Sequence, residues 1–120
     1  MNLINFLNNL IQHDGFILID SKSNKYVIGK PIKEKPIILK LLDKSLNYKL
    51  LLYPDLYFGE AYTNGSLVIE NGTITEFLDI VLKNIGKKHI NIYSKIFNKI
   101  KGTYKHLTNF NKGIKSKQNV

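Results

Sequence analysis

The chain has 120 residues, a formal charge of +9, and neither cysteine nor tryptophan. That length suits one domain, burying somewhat over about 60% of its unfolded surface, so a second catalytic domain does not fit. The missing cysteines exclude disulfides, zinc thiolate sites and thiol nucleophiles. There is no apolar run of the roughly 18 residues that a membrane helix needs, and the start MNLINFLNN lacks the basic opening and small-residue cleavage site of a signal peptide. A cytoplasmic chain is the expectation.

In chain order, Leu3, Ile4, Leu7, Leu10 and Ile11 follow helical spacing with asparagines on the other face. The segment HDG should end that helix, with Gly15 at positive φ and His13 and Asp14 capping it. FILIDSKSNKYVIG reads as a β-hairpin, strands near 16–20 and 25–29 around the turn SKSN. PIILKLLD, bounded by Pro36 and Asp43, reads as a third strand. In KSLNYKLLLYPD, Leu46, Leu50 and Tyr53 have helical spacing, and the helix must end before Pro54.

In EAYTNGSLVIE, Asn64-Gly65 lies between two strand-like runs and is expected to close a hairpin or kink a long strand. Thr73 and Glu76 form a Thr-x-x-Glu capping box ahead of Phe77, Ile80 and Val81, predicting a helix over 74–84 that stops near Gly86. Ile92, Tyr93, Ile96, Phe97 and Ile100 predict a further helix over 89–101, its lysines snorkelling around an apolar seam. Residues 103–120 are polar and unpatterned, a linker or tail. The element order predicts an α+β domain, a mainly antiparallel sheet with helices packed on one face.

Charge is unevenly placed. Residues 1–82 hold eight lysines against nine acids, whereas residues 83–120 hold ten lysines and no acid. Lys87, Lys88, Lys95, Lys99, Lys101 and Lys105 are therefore candidate contacts to an anionic membrane. A general drift toward lysine, isoleucine and asparagine is the competing explanation. Nucleic acid is the weaker partner, because without arginine there are no bidentate guanine contacts or phosphate forks.

Glu60 is flanked by Tyr53, Tyr57, Phe58 and Tyr62, and burial there would favour its protonated form. Acid–base catalysis needs a partner, however, and no second carboxylate or histidine lies nearby in sequence. The preferred reading is a hydrogen-bonding Glu at a strand start or a domain contact. His13, His89 and His106 lack metal-ligand spacing, and no nucleophile elbow, phosphate loop or dinucleotide fingerprint is present. No cofactor, metal or catalytic residue is assigned.

As a unit, PDLYFGEAYTNGSLVIENGTITEFLDIVLKN resembles the N-terminal region of the cyclopropane-fatty-acyl-phospholipid synthases, whose pattern runs Pro-Asp, then Gly-Glu-Ala/Ser-Tyr, then Gly, a strand, an acidic turn and a helix. GFILIDSKSNKYVIGK is similar to that family's opening hairpin, and the likeness covers residues 13–84 well and 85–120 loosely. Asn64 stands where the family usually has an acidic residue. The family's S-adenosylmethionine-dependent methyltransferase domain opens with His-Tyr-Asp-Leu, and the sequence reaches Val120 without it.

The resemblance implies a sterol-carrier-like, lipid-engaging N-terminal domain over 1–102 and a lead-in to the catalytic domain over 103–120. It further implies a truncated or split synthase, inactive alone, that aids phospholipid presentation and assembly. Gly59, Glu60, Tyr62 and Gly65 would lie at a domain contact. The partners implied are phospholipid or an anionic membrane surface at the inner face of the membrane, and a second copy of the chain. The alternatives are a free-standing partner subunit for a separately encoded methyltransferase domain and a basic nucleic-acid-binding module.

Overall fold

A computed structural model describes residues 2–85 together with Ser94 and Asn98. The helix expected over 89–101, the tail over 103–120, His89, His106 and the six candidate membrane-contact lysines lie outside the described residues, apart from Ser94 and Asn98, which are helical and exposed. The elements are α1 (Asn2–Leu10), β1 (Gly15–Ile19), β2 (Lys25–Gly29), β3 (Ile38–Leu41), α2 (Leu46–Leu52), α3 (Pro54–Asn64), β4 (Leu67–Glu70) and α4 (Ile74–Ile85). This is an α+β fold.

The strands form one sheet in the order β2-β1-β3-β4. β1 pairs antiparallel with β2, the expected hairpin, and β3 pairs antiparallel with β4. β1 and β3 run parallel, with Leu18 opposite Leu39, so the sheet is mixed. A strand's alternation sends Phe16, Leu18, Ile28, Leu39, Leu41 and Leu67 into one core shared with the helices. Val27, on the other face, is exposed. Each fully buried side chain of this size contributes about 1.5–3 kcal/mol, which makes the helix-facing side of the sheet the stable base of the molecule.

α1 buries Leu3, with Leu7 and Leu10 packed against the core on the same stripe. Its C-terminal end departs from expectation. Gln12 provides the cap, its Nε2 donating to the Asn9 carbonyl at 2.8 Å, and His13 and Asp14 do not. Asp14 itself takes the left-handed conformation (φ 63), which a short polar side chain tolerates, and its Oδ1 accepts from Gly15 N at 2.7 Å and Ile32 N at 3.2 Å. Gly15 is the first residue of β1, and its role is close approach: a Cβ there would lie 2.1 Å from the Ile28 carbonyl oxygen.

The second departure is larger. Glu60 to Asn64 are helical, and the strand-like run EAYTN is the last part of α3. Pro54 at the first turn and Asp55 beside it start this helix, and Gly65 ends it at φ 88. Asn64-Gly65 is thus a helix stop followed by a turn, in which Asn64 Oδ1 accepts from Ser66 N at 2.9 Å. Helical geometry buries Phe58 and Ala61 while Tyr57 and Tyr62 pack at the core's edge. Aromatic content suggested a strand there, and tertiary packing overrode it.

α4 forms as its sequence specifies. Thr73 N donates to Glu76 Oε1 at 2.9 Å, and Glu76 N to Thr73 Oγ1 at 3.1 Å, a reciprocal capping box. Behind the cap, Phe77, Leu78, Ile80 and Ile85 are buried.

Candidate functional site

Between the sheet and the helices lies a cavity of about 360 Å³. Its floor comes from the strands, Phe16 on β1 and Leu39 on β3, both nearly inaccessible to solvent. Phe77 of α4 sits edge-on to Phe16 (centroids 4.9 Å apart) and stacks on Phe58 of α3 (5.4 Å, 8° between planes). Such pairs add about 0.5–1.5 kcal/mol beyond the area they bury, so this aromatic trio is a firm wall.

The other walls are Leu3, Leu7 and Leu10 of α1, Leu50 of α2 and Val81 and Ile85 of α4. Lining side chains that also reach solvent mark the mouth. Phe6 is 38% exposed, and Leu7, Leu10, Pro54 and Val81 are half-buried. Adjacent to Pro54 and Val81 in sequence, Tyr53 and Leu82 are exposed.

Asn84 fixes how α4 lies beside the end of α1. Its Oδ1 accepts from the backbone N–H groups of Gln12 and His13, both at 2.7 Å, and its Nδ2 donates to the His13 and Ile80 carbonyls at 2.8 and 2.7 Å. Lys83 adds an ion pair to Asp14 at 3.8 Å. A hydrogen-bonded clasp therefore holds one end of the two helices together, while apolar side chains face the cavity along the rest.

Among the described residues, every side chain lining the cavity is apolar. A polar ligand group placed inside would lose its hydrogen bonds to water without replacement, at a cost of several kcal/mol, roughly 2–7. Hydrocarbon meets no such penalty. Each methylene moved from water into such a site gains about 0.8 kcal/mol, and at roughly 30 Å³ per group, a water-sized volume, the space accommodates on the order of ten methylenes. The described lining can hold a hydrocarbon chain.

The residues singled out as domain contacts lie elsewhere. Gly59 is buried within α3, Glu60 is exposed on its outer side, Tyr62 packs at the core's edge and Gly65 ends the helix in solvent. Glu60 is not enclosed by the aromatic residues around it in sequence, so the premise of a buried carboxylate is not met. Phe58, two positions before Glu60 on the same helix, reaches the cavity instead. Among the described residues no group of three or more His, Asp or Glu side chains is arranged to hold a metal ion, and no helix is long and apolar enough to cross a membrane.

Sequence reasoning found the apolar stripes of α1 and α4 but not the void between them, nor Asn84. A void is what remains after four helices have packed on the sheet, and it leaves no local pattern. Compared with known proteins, the chain matches no family model, no curated protein and no solved structure.

Proposed function

We propose that this chain is a non-catalytic, lipid-engaging domain of the cyclopropane-fatty-acyl-phospholipid synthase type, which holds one hydrocarbon chain of a phospholipid and supports assembly with a methyltransferase domain. The observation that carries this reading is the cavity, apolar at every described lining residue and open at a mouth formed by Phe6, Leu10, Pro54 and Val81. A place at the inner face of the membrane, and a sterol-carrier-like fold, belong to the same proposal. Two of the three strand pairings are antiparallel, and the void lies between sheet and helices, which supports the fold reading. In this reading the isolated chain transfers no methyl group, and detectable transfer by it would sink the proposal.

The direct test is titration with a conjugated-polyene fatty acid whose emission rises in apolar surroundings. Saturable binding near one equivalent, competed by a lysophospholipid, is expected. Leu10→Phe with Val81→Phe fills the cavity from two walls and should abolish the signal with the thermal unfolding midpoint retained. Val27→Phe on the far face of the sheet should leave it unchanged. Binding that survives the filled cavity would refute the site.

A further inference from the structure

We propose that Phe77 is the inner stop of the cavity and limits its occupant to the methyl-terminal part of a hydrocarbon chain, about ten methylenes long. This length selection rests on the hydrocarbon-binding reading above.

The lining runs from wet to dry. At the mouth Phe6 is exposed and Leu10, Pro54 and Val81 are half-buried, whereas Phe16 and Phe77 are only 1% and 4% exposed. Phe77 is the ring that ties this inner part together, since it meets Phe16 edge-on at 4.9 Å and stacks on Phe58 at 5.4 Å. Held by a strand residue on one side and a helix residue on the other, it cannot swing aside without displacing a packed neighbour. A chain arriving from the mouth is halted there.

The walls are of fixed length as well. α1 lines the cavity from Leu3 to Leu10 and α4 from Phe77 to Ile85, runs of about 10 and 12 Å at the rise of an α-helix. The Asn84 hydrogen bonds to Gln12 and His13 fasten the two helices at one end, and the Thr73–Glu76 cap fixes the start of α4 one turn before Phe77. The short runs agree with the volume of about 360 Å³: both describe room for part of a long acyl chain.

Polarity decides which part enters. Every described lining side chain is apolar, so a carboxylate or headgroup stays at the mouth and the methyl end goes in first. Carbons in excess of the space remain in water and add nothing to binding. The site therefore measures a chain from its methyl end.

The test displaces the polyene fatty acid from the full chain with unbranched saturated fatty acids of about six to sixteen carbons, each kept below its micelle concentration. Each added methylene should tighten competition about fourfold until about ten are enclosed, and by less than twofold thereafter. Phe77→Ala removes the stop and should move that break to chains longer by about two to four methylenes. Leu39→Phe adds a ring on the floor beside Phe16 and should move it to shorter chains. Leu67→Ala, a truncation in the same core that does not line the cavity, should leave it in place.

Competition by none of the acids would refute the hydrocarbon-binding reading itself, and the stop with it. Competition that keeps tightening fourfold per methylene to the longest acid would refute the stop alone. So would a break that stays in place in both Phe77→Ala and Leu39→Phe, or one that Leu67→Ala shifts as far as Phe77→Ala does. Should Phe77→Ala fail to unfold cooperatively, the direction of the Leu39→Phe shift decides.

Discussion

The core has two parts built from the same kinds of residue and packed to different ends. Around Leu18, Ile28, Leu41, Leu46, Ala61 and Leu67 the side chains are buried and do not line this cavity. Around Phe16, Leu39, Leu50, Phe58 and Phe77 they are equally apolar and nearly as buried, yet surround a space of about 360 Å³. The close-packed part lies where α3 packs on β4 and α2 packs on α1 and α3. The hollow part lies where α4 faces α1, with the Asn84 clasp at one end. Apolar character alone does not decide whether a core is solid. The spacing of the helices that cover the sheet decides it.

The largest effect that tests this contrast is truncation on its two sides. Leu41, inaccessible on β3 in the close-packed part, should cost about 2–5 kcal/mol when replaced by alanine, since the lost transfer energy is joined by the cost of a new void. Leu10, half-buried at the mouth, already lacks partners on its cavity side, and Leu10→Ala should cost about 1 kcal/mol. Urea unfolding of the two variants gives both values. Equal losses would mean that the hollow is closed in solution, and the distinction between the two parts would fail.

The difference in legibility follows the same division. The hairpin over FILIDSKSNKYVIG and the strand in PIILKLLD are visible because alternation and turn residues are local signals, and β1, β2 and β3 form there. α4 is visible because its cap is four residues long and its apolar face repeats at 3.6. α3 is hidden because Tyr57, Phe58 and Tyr62 have strand-like character, Gly59 weakens helical propensity, and what fixes the helix is Phe58 and Ala61 meeting residues distant in sequence. The parallel pairing of β1 with β3 is hidden for a related reason, since nothing local states which strand lies beside which. The cavity is the extreme case. Phe16 and Phe77 are 61 positions apart, and only the assembled fold puts their rings 4.9 Å from one another.

A smaller effect probes the wall that closes the hollow. Thr73→Ala removes the hydroxyl that accepts from Glu76 N, and N-cap losses of this kind cost about 1 kcal/mol. The loss should be local. Hydrogen exchange is expected to quicken in the first turns of α4, at Phe77 and Leu78, with little change at Leu39 and Leu41 of β3. Uniform acceleration in both would show that α4 and the sheet open as one unit, and that the hollow has no softer side.

The smallest effect is the pH dependence of the same cap. The Thr73 backbone N–H, first, and then the Lys33 ammonium at 3.4 Å hold the Glu76 carboxyl below its ordinary range. A carboxyl depressed in the folded state contributes stability at any pH above its ordinary value, and loses it as pH falls through that value, around pH 4, to the folded one. Acid should therefore loosen the N-terminal turn of α4 before it affects β3 and β4, and Glu76→Gln should flatten that part of the response. Glu76 is exposed and its ion pair with Lys33 is screened by salt, so the change is best read in exchange rates at Phe77 and in uptake of the polyene fatty acid. Faster uptake on mild acidification of the unaltered chain, absent in Glu76→Gln, would make α4 the wall that moves. Uptake insensitive to both would place the opening at α1, where Phe6 and Leu10 form the other side of the mouth.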